Sequence, residues 1–150
     1  MWPKDAASPE YYAYTPGWGR LDSVNRERTR NLVDLIDRTG RGTTDSSFVR
    51  NLHWFKANFE FALLLDDVGR KLEPAYALRK RYHDAAFDPA SGKDAIHLAR
   101  KSLDEAPMER LFRVYASRVR SRGELGVLSS LNQKLFNEYN DLKRFLSHIK

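Results

Sequence analysis

The stretch SSFVRNLHWFKANFEFALLLDDV, Ser46 to Val68, decides the fold. Phe48, Leu52, Phe55, Phe59 and Leu63 recur at steps of three and four, the period of one helix face and not the alternation of a strand. Trp54, Phe61, Leu64, Leu65 and Val68 widen the apolar surface well beyond that stripe. A helix apolar over so much of its circumference needs neighbours on more than one side, which predicts a central position.

Toward the N-terminus, Asp22 or Ser23 is placed to cap a first helix. Val24, Leu32, Leu35 and Ile36 form its stripe, Gly40 its stop, and GRGTTDS (Gly40 to Ser46) the loop that follows. Toward the C-terminus, Gly69 and Pro74 punctuate the central helix. Proline is tolerated in a first turn, so Glu73-Pro74 opens a new segment through Tyr82. The alternative is a kink in one long helix, because Ala75, Leu78 and Tyr82 continue the period.

FDPASGKD (Phe87 to Asp94) is a turn cluster, followed by a short helix with Ile96, Leu98, Ala99 and Leu103. Pro107 sits in the first turn of the next helix, which carries Leu111, Phe112, Val114, Tyr115 and Val119. SRGELG (Ser121 to Gly126) reads as the last break. A final helix then aligns Leu128, Leu131, Leu135, Leu142, Phe145 and Ile149 on a near-heptad seam. No segment alternates like a strand. The expected fold is all-α, an antiparallel bundle of roughly four to six helices forming one domain over residues 21–150.

Residues 1–20 differ from the rest. Trp2, Tyr11, Tyr12, Tyr14 and Trp18 are interleaved with Pro3, Pro9, Pro16, Gly17 and Gly19, the composition of an extended aromatic-rich arm. Tyr and Trp rings make platforms for sugars or bases, so Tyr11, Tyr12, Tyr14, Trp18 and also Trp54 are candidate binding residues. The competing reading, preferred here, has the arm's rings lying across the bundle to cover apolar helix surface.

At 150 residues the chain has room for a single sizeable core. It has no cysteine, which excludes disulfides and thiolate zinc sites. No apolar run approaches the roughly 20 residues of a bilayer span, and MWPKDAASPE lacks the apolar core of a signal peptide. A soluble protein, cytoplasmic where a compartment is assigned, follows as an expectation, with no membrane partner, cofactor or metal.

The net charge of +6 comes from 26 Lys and Arg against 20 Asp and Glu. Arg110, Arg113, Arg118, Arg120 and Arg122 form the richest basic group. Arg113 and Arg120, seven apart, share a face, as do Arg118 and Arg122, four apart, an arrangement that suits phosphate. Acids at Asp104, Glu105 and Glu109 dilute that region, so a salt-bridged solvent face ranks ahead of nucleic-acid binding.

His53, His83, His97 and His148 contain no pair four apart, so the two-histidine helical metal face is absent. His53, inside the aromatic helix, reads as a packed, hydrogen-bonded residue. Asp66 and Asp67 end the run Leu63-Leu64-Leu65, and a carboxylate at the edge of a buried helix has acid–base potential. The preferred reading is structural: one aspartate faces water and the other pairs with an arginine such as Arg70.

Two segments, NLHWFKANFEFALLLDDVGRKLEPAYALRKRY (Asn51 to Tyr82) and YASRVRSRGELGVLSSLNQKL (Tyr115 to Leu135), resemble the helical C-terminal regions of large bacterial glycoside-hydrolase-like proteins. There a helical region packs after or around a catalytic barrel. The resemblance spans roughly the last two-thirds of the chain and carries no catalytic residue. It implies an accessory or interdomain role and a chain that is a piece of something longer. The partner it implies is a protein or the remainder of that chain, with a homo-oligomer and a carbohydrate ligand as further expectations.

Overall fold

The computed structural model describes residues 17–82 and 92–149, and every regular element among them is helical. Helix α1 is Ser23–Arg41, α2 Ser46–Tyr82, α3 Lys93–Asp104, α4 Met108–Arg118 and α5 Arg122–Leu131. A π-helical turn, Asn132–Phe136, carries α5 into α6, Asn137–His148. The chain divides into two compact units, one built from Gly19–Gly69 and Pro107–Leu128, the other chiefly from Arg70–Ala106 and Ser129–Lys150. No helix among the described residues is long and apolar enough to cross a membrane.

In the unit of Gly19–Gly69 and Pro107–Leu128, carboxylates start both long helices. Asp22 is extended, and its Oδ1 accepts the Asn25 N–H at 2.7 Å while Oδ2 accepts the Asn25 side-chain amide. The backbone bond from Asn25 holds the Asp22 carboxyl below its usual range. Asp45 Oδ1 accepts from the N–H groups of Ser47 at 2.8 Å and Phe48 at 3.1 Å, satisfying donors that the first turn of α2 leaves over.

Helix α1 runs past Gly40 and ends where the Gly42 N–H reaches Thr39 O at 3.2 Å. It pairs antiparallel with α2: Arg26 meets Asp66, and Asp37 meets Lys56 further down. The contact face carries Arg26, Val33, Ile36 and Asp37, all half-buried. Of the predicted stripe only Ile36 is partly covered; Val24, Leu32 and Leu35 are exposed, and α1 buries no residue. Ion pairs hold this helix, so its apolar side chains are left outside.

Helix α2 is central to this unit, with α1 against one face and α4 against another. The α4 face runs antiparallel as well, Phe61 lying by Tyr115 and Trp54 by Arg118. Ala57, Leu64, Leu65, Val68, Met108, Leu111 and Tyr115 form the core. Phe48 and Phe55, read from the sequence as inward, are exposed, and Leu52, Phe59 and Leu63 are half-buried. The widened set Leu64, Leu65 and Val68 supplies the burial instead.

The predicted break SRGELG is shorter than expected, since α5 begins at Arg122. Ser121 and Glu124 form a reciprocal cap. Glu124 Oε2 accepts the N–H groups of Arg120 at 2.7 Å and Ser121 at 2.8 Å, and Ser121 Oγ accepts the Glu124 N–H at 3.3 Å. This is a capping box, which draws Gly123 and Gly126 into the helix despite their poor propensity.

In the second unit, Leu72, Ala75 and Leu78 share a core with Ile96, Ala99 and Leu103 and with Leu131, Leu135, Leu142, Leu146 and Ile149. Pro74 lies inside α2, so the kinked-continuation alternative describes the chain and Glu73-Pro74 opens no new segment. A proline there removes one backbone bond, and the buried line Leu72, Ala75, Leu78 holds the helix through the loss. Helices α3 and α6 pair antiparallel. Arg100 donates to Leu146 O at 2.9 Å and Ile149 O at 2.8 Å, closing the C-terminal end of α6, and Lys143 faces Asp104 at 3.4 Å.

Along the final helical stretch the seam residues Leu131, Leu135, Leu142 and Ile149 are buried and Leu128 is half-buried. Leu146 is buried beside them, and Phe145 is only half-buried. Phe145 instead meets the Tyr82 ring edge-on at 5.4 Å.

Candidate functional site

Among the described residues Asp66 is the most enclosed polar one. Its side chain is 0 % exposed, and Oδ1 receives the Leu21 N–H at 3.1 Å and faces Arg20 Nε at 3.2 Å. Arg26 bonds Oδ2 with one nitrogen and Asp67 with the other. Asp67 is 39 % exposed. The structural reading of the pair therefore holds, with one acid toward water and one buried on arginines. Arg20 and Arg26 both reach Asp66. Neither could be chosen from sequence, because they lie in or just before another helix. With both oxygens of Asp66 engaged and its side chain 0 % exposed, the arrangement locks a helix pair and does not present the carboxylate to solvent.

Around Trp54 the unit gathers aromatic and cationic side chains. Trp54 is half-buried and its Nε1–H donates to Arg118 O at 3.0 Å. Arg118 turns inward, its guanidinium 4.4 Å from the Tyr115 ring centroid and 5.3 Å from that of Phe61, with a nitrogen on Asn58 Oδ1. Arg120 lies over Trp54 at 5.6 Å and bonds Arg50 O at 3.0 Å and Asn51 Oδ1 at 3.5 Å. Guanidinium faces and aromatic rings attract through the ring quadrupole, so this cluster is a cation–π staple between α2 and the end of α4.

Beside it is a cleft of about 490 Å³ lined by Arg50, His53, Trp54, Lys56, Ala57, Glu60, Ser117 and Arg120. A second groove of about 430 Å³, on the α1 side, shares His53 and Lys56 and adds Ile36, Asp37, Gly40, Arg41, Val49 and Leu52. His53 is thus an exposed groove residue and not the packed histidine the sequence suggested. The α1 groove is crossed by the ion pair of Lys56 with Asp37, at 2.7 and 2.8 Å.

The remaining candidates separate. Tyr11, Tyr12 and Tyr14 lie outside the described residues, as does His83, and Trp18 sits half-buried at a turn. Arg113 is exposed and pairs with Glu109 one turn away. Arg120 and Arg122 do not continue the helix of Arg113 and Arg118, because α4 ends at Arg118 and Val119 is extended. The seven- and four-residue spacings consequently do not set these arginines on one helical face. His97 and His148 are exposed, and no three His, Asp or Glu side chains among the described residues converge as metal ligands.

Arg50, Lys56 and Glu60 were not selected from sequence, although they stand on the same helix as Trp54. Only the position of Arg120, past the end of α4, makes a cleft of them. Comparison of the chain with protein-family models, curated proteins and solved structures finds no match.

Proposed function

We propose that the chain is a helical accessory module that works by packing against a protein partner or the remainder of a longer chain. The observation that carries this reading is the outer side of α1. Val24 is 54 % and Leu35 51 % exposed, and they lie three turns apart along one line of a helix that buries nothing. Leu32 flanks them, and Phe48 and Phe55, two turns apart on α2, are exposed in the same unit. Single exposed apolar residues are ordinary, but repetition at helical spacing is how an amphipathic helix presents itself to a partner.

The likeness of Asn51–Tyr82 and Tyr115–Leu135 to helical regions of glycoside-hydrolase-like proteins supports a carbohydrate-active protein as that partner. Within the same reading the helices form an antiparallel bundle of roughly four to six, with an aromatic arm over residues 1–20. The short Gly42–Asp45 and Val119–Ser121 links and the antiparallel pairs inside each unit support it.

Light scattering of the purified chain with titration of an apolar-surface dye tests the proposal. Dye binding or self-association is expected, reduced by Leu35→Glu and by Phe55→Glu. A monodisperse monomer that binds no dye overturns it. Tight nucleic-acid binding that weakens steeply with salt would favour the basic-face reading instead.

A further inference from the structure

The cleft beside Trp54 has a charge imbalance that the packing reading does not use. Arg50 and Arg120 both line it, and both are hydrogen-bonded to neutral acceptors: Arg50 to Ser47 Oγ at 3.0 Å, Arg120 to Arg50 O and Asn51 Oδ1. Lys56, the third cation of the lining, is matched by Asp37 at 2.7 Å and Glu60 at 3.8 Å. Glu60 is the only carboxylate of the lining. Two guanidinium groups thus line one concavity whose own carboxylate, Glu60, stands by the lysine, while Glu124 lies outside the lining and bonds the Arg120 backbone N–H.

The bonds to Arg120 also fix its position without neutralising it. A guanidinium has five N–H donors, and the two neutral contacts leave others for an anion. Its place over the Trp54 ring sets an apolar surface next to the charge. A cleft of about 490 Å³ falls in the range of small-ligand pockets.

We infer that this cleft binds a small phosphate monoester carrying a flat or apolar group, the phosphate held by Arg50 and Arg120 and the group resting by Trp54. Phosphate matches the guanidinium fork bidentately, and a monoester's charge of about −1.5 to −2 near neutral pH balances two arginines. Carboxylates offer less charge, and a neutral sugar would leave both arginines unanswered. The inference does not depend on the partner reading, since Val24, Leu35 and Phe55 are not part of the lining.

The test is calorimetric titration of the full chain with phenyl phosphate, with inorganic phosphate and phenol as separate arms, in about 50 mM salt. Saturable phenyl phosphate binding is expected, several-fold tighter than inorganic phosphate, with phenol not binding. Arg50→Gln and Arg120→Gln should each weaken it about tenfold, while Arg113→Gln, on an exposed i,i+4 pair, leaves it unchanged. Arg50 is exposed and its guanidinium bonds Ser47 Oγ one turn away, so its variant keeps the test valid if Arg120→Gln fails to fold. No saturation by about 10 mM phenyl phosphate overturns the inference. So does equal weakening in Arg113→Gln, which would mean general attraction of anions to a basic chain.

Discussion

Arg26 of α1 grips two consecutive carboxylates of α2, one nitrogen on the fully buried Asp66 and the other on the partly exposed Asp67. Burial disfavours the Arg26 charge, but the hydrogen bonds with Asp67 and Asp66 outweigh it and hold the guanidinium above its usual range. On the opposite side Asp66 takes the Leu21 N–H and Arg20. One carboxylate therefore ties the chain entering α1, the first turns of α1 and the middle of α2 to a single point.

Removing that point should cost far more than removing its neighbour. Asp66→Ala removes a fully buried carboxylate from between two largely covered arginines, a class of change worth about 3–5 kcal/mol. Asp67→Ala loses only a partly solvated arm of the pair, within about 1 kcal/mol. Urea unfolding of both variants measures the difference, and equal midpoints would show that Asp66 is not the anchor.

Gly19 precedes this anchor and adopts φ +74°, a conformation that costs an L-residue about 1–2 kcal/mol. A Cβ there would also collide with Cγ and Cδ2 of Leu65, which is buried. Gly19→Ala should therefore destabilise by about 2 kcal/mol or more, whereas Gly17→Ala, whose added Cβ meets open space, should be near neutral. Chemical denaturation of the two alanine variants decides it. A neutral Gly19→Ala would place the strain elsewhere.

How much of this was legible in the sequence differs from element to element. The 3.6 period of Ser46–Val68 was enough for the helix and its central place, because apolar side chains around most of a helix leave it nowhere else to go. Asp22 was legible as a cap for the same local reason. The partner of Asp66 was not, since ion pairing across helices depends on register, which no local pattern encodes. Phe145 and Leu146 stand on adjacent edges of one helix face, three and four residues after Leu142, so the period alone could not say which of the two is buried. S-R-G-E at Ser121–Glu124 did carry a readable capping-box signal, hidden by two glycines that mark a turn by propensity alone. The Trp54 cleft required Arg120 to arrive from beyond the end of α4, so only tertiary structure reveals it.

The capping box gives a pH signature. The backbone N–H of Arg120, with Ser121, holds the Glu124 carboxyl below its ordinary value of 4.5. A depressed folded value means that the contribution is full above the unfolded value and is lost as pH falls through the folded one. The urea midpoint of the parent should exceed that of Glu124→Gln at neutral pH, and the gap should narrow as pH drops below about 4.5. A gap independent of pH would mean that the charge of Glu124 is irrelevant to the cap. Ser121→Ala removes the other half of the box and should cost about 1 kcal/mol at neutral pH.

Tyr115 and Arg118 supply the last test, because their contributions separate by atom. Tyr115 is 0 % exposed; its hydroxyl donates to Glu124 O at 2.9 Å and its ring carries the Arg118 guanidinium. Tyr115→Phe keeps the ring and frees a carbonyl, so about 1 kcal/mol is expected, against about 3–5 kcal/mol for Tyr115→Ala. Arg118→Lys preserves charge but not the planar face that lies on Tyr115 and Phe61, nor the fork that reaches Asn58. If stacking and geometry hold the end of α4, the lysine variant should lose most of what Arg118→Ala loses. If charge alone matters, Arg118→Lys will unfold at the parent's midpoint, and the planar contacts with Tyr115 and Phe61 add nothing to the hold between α2 and α4.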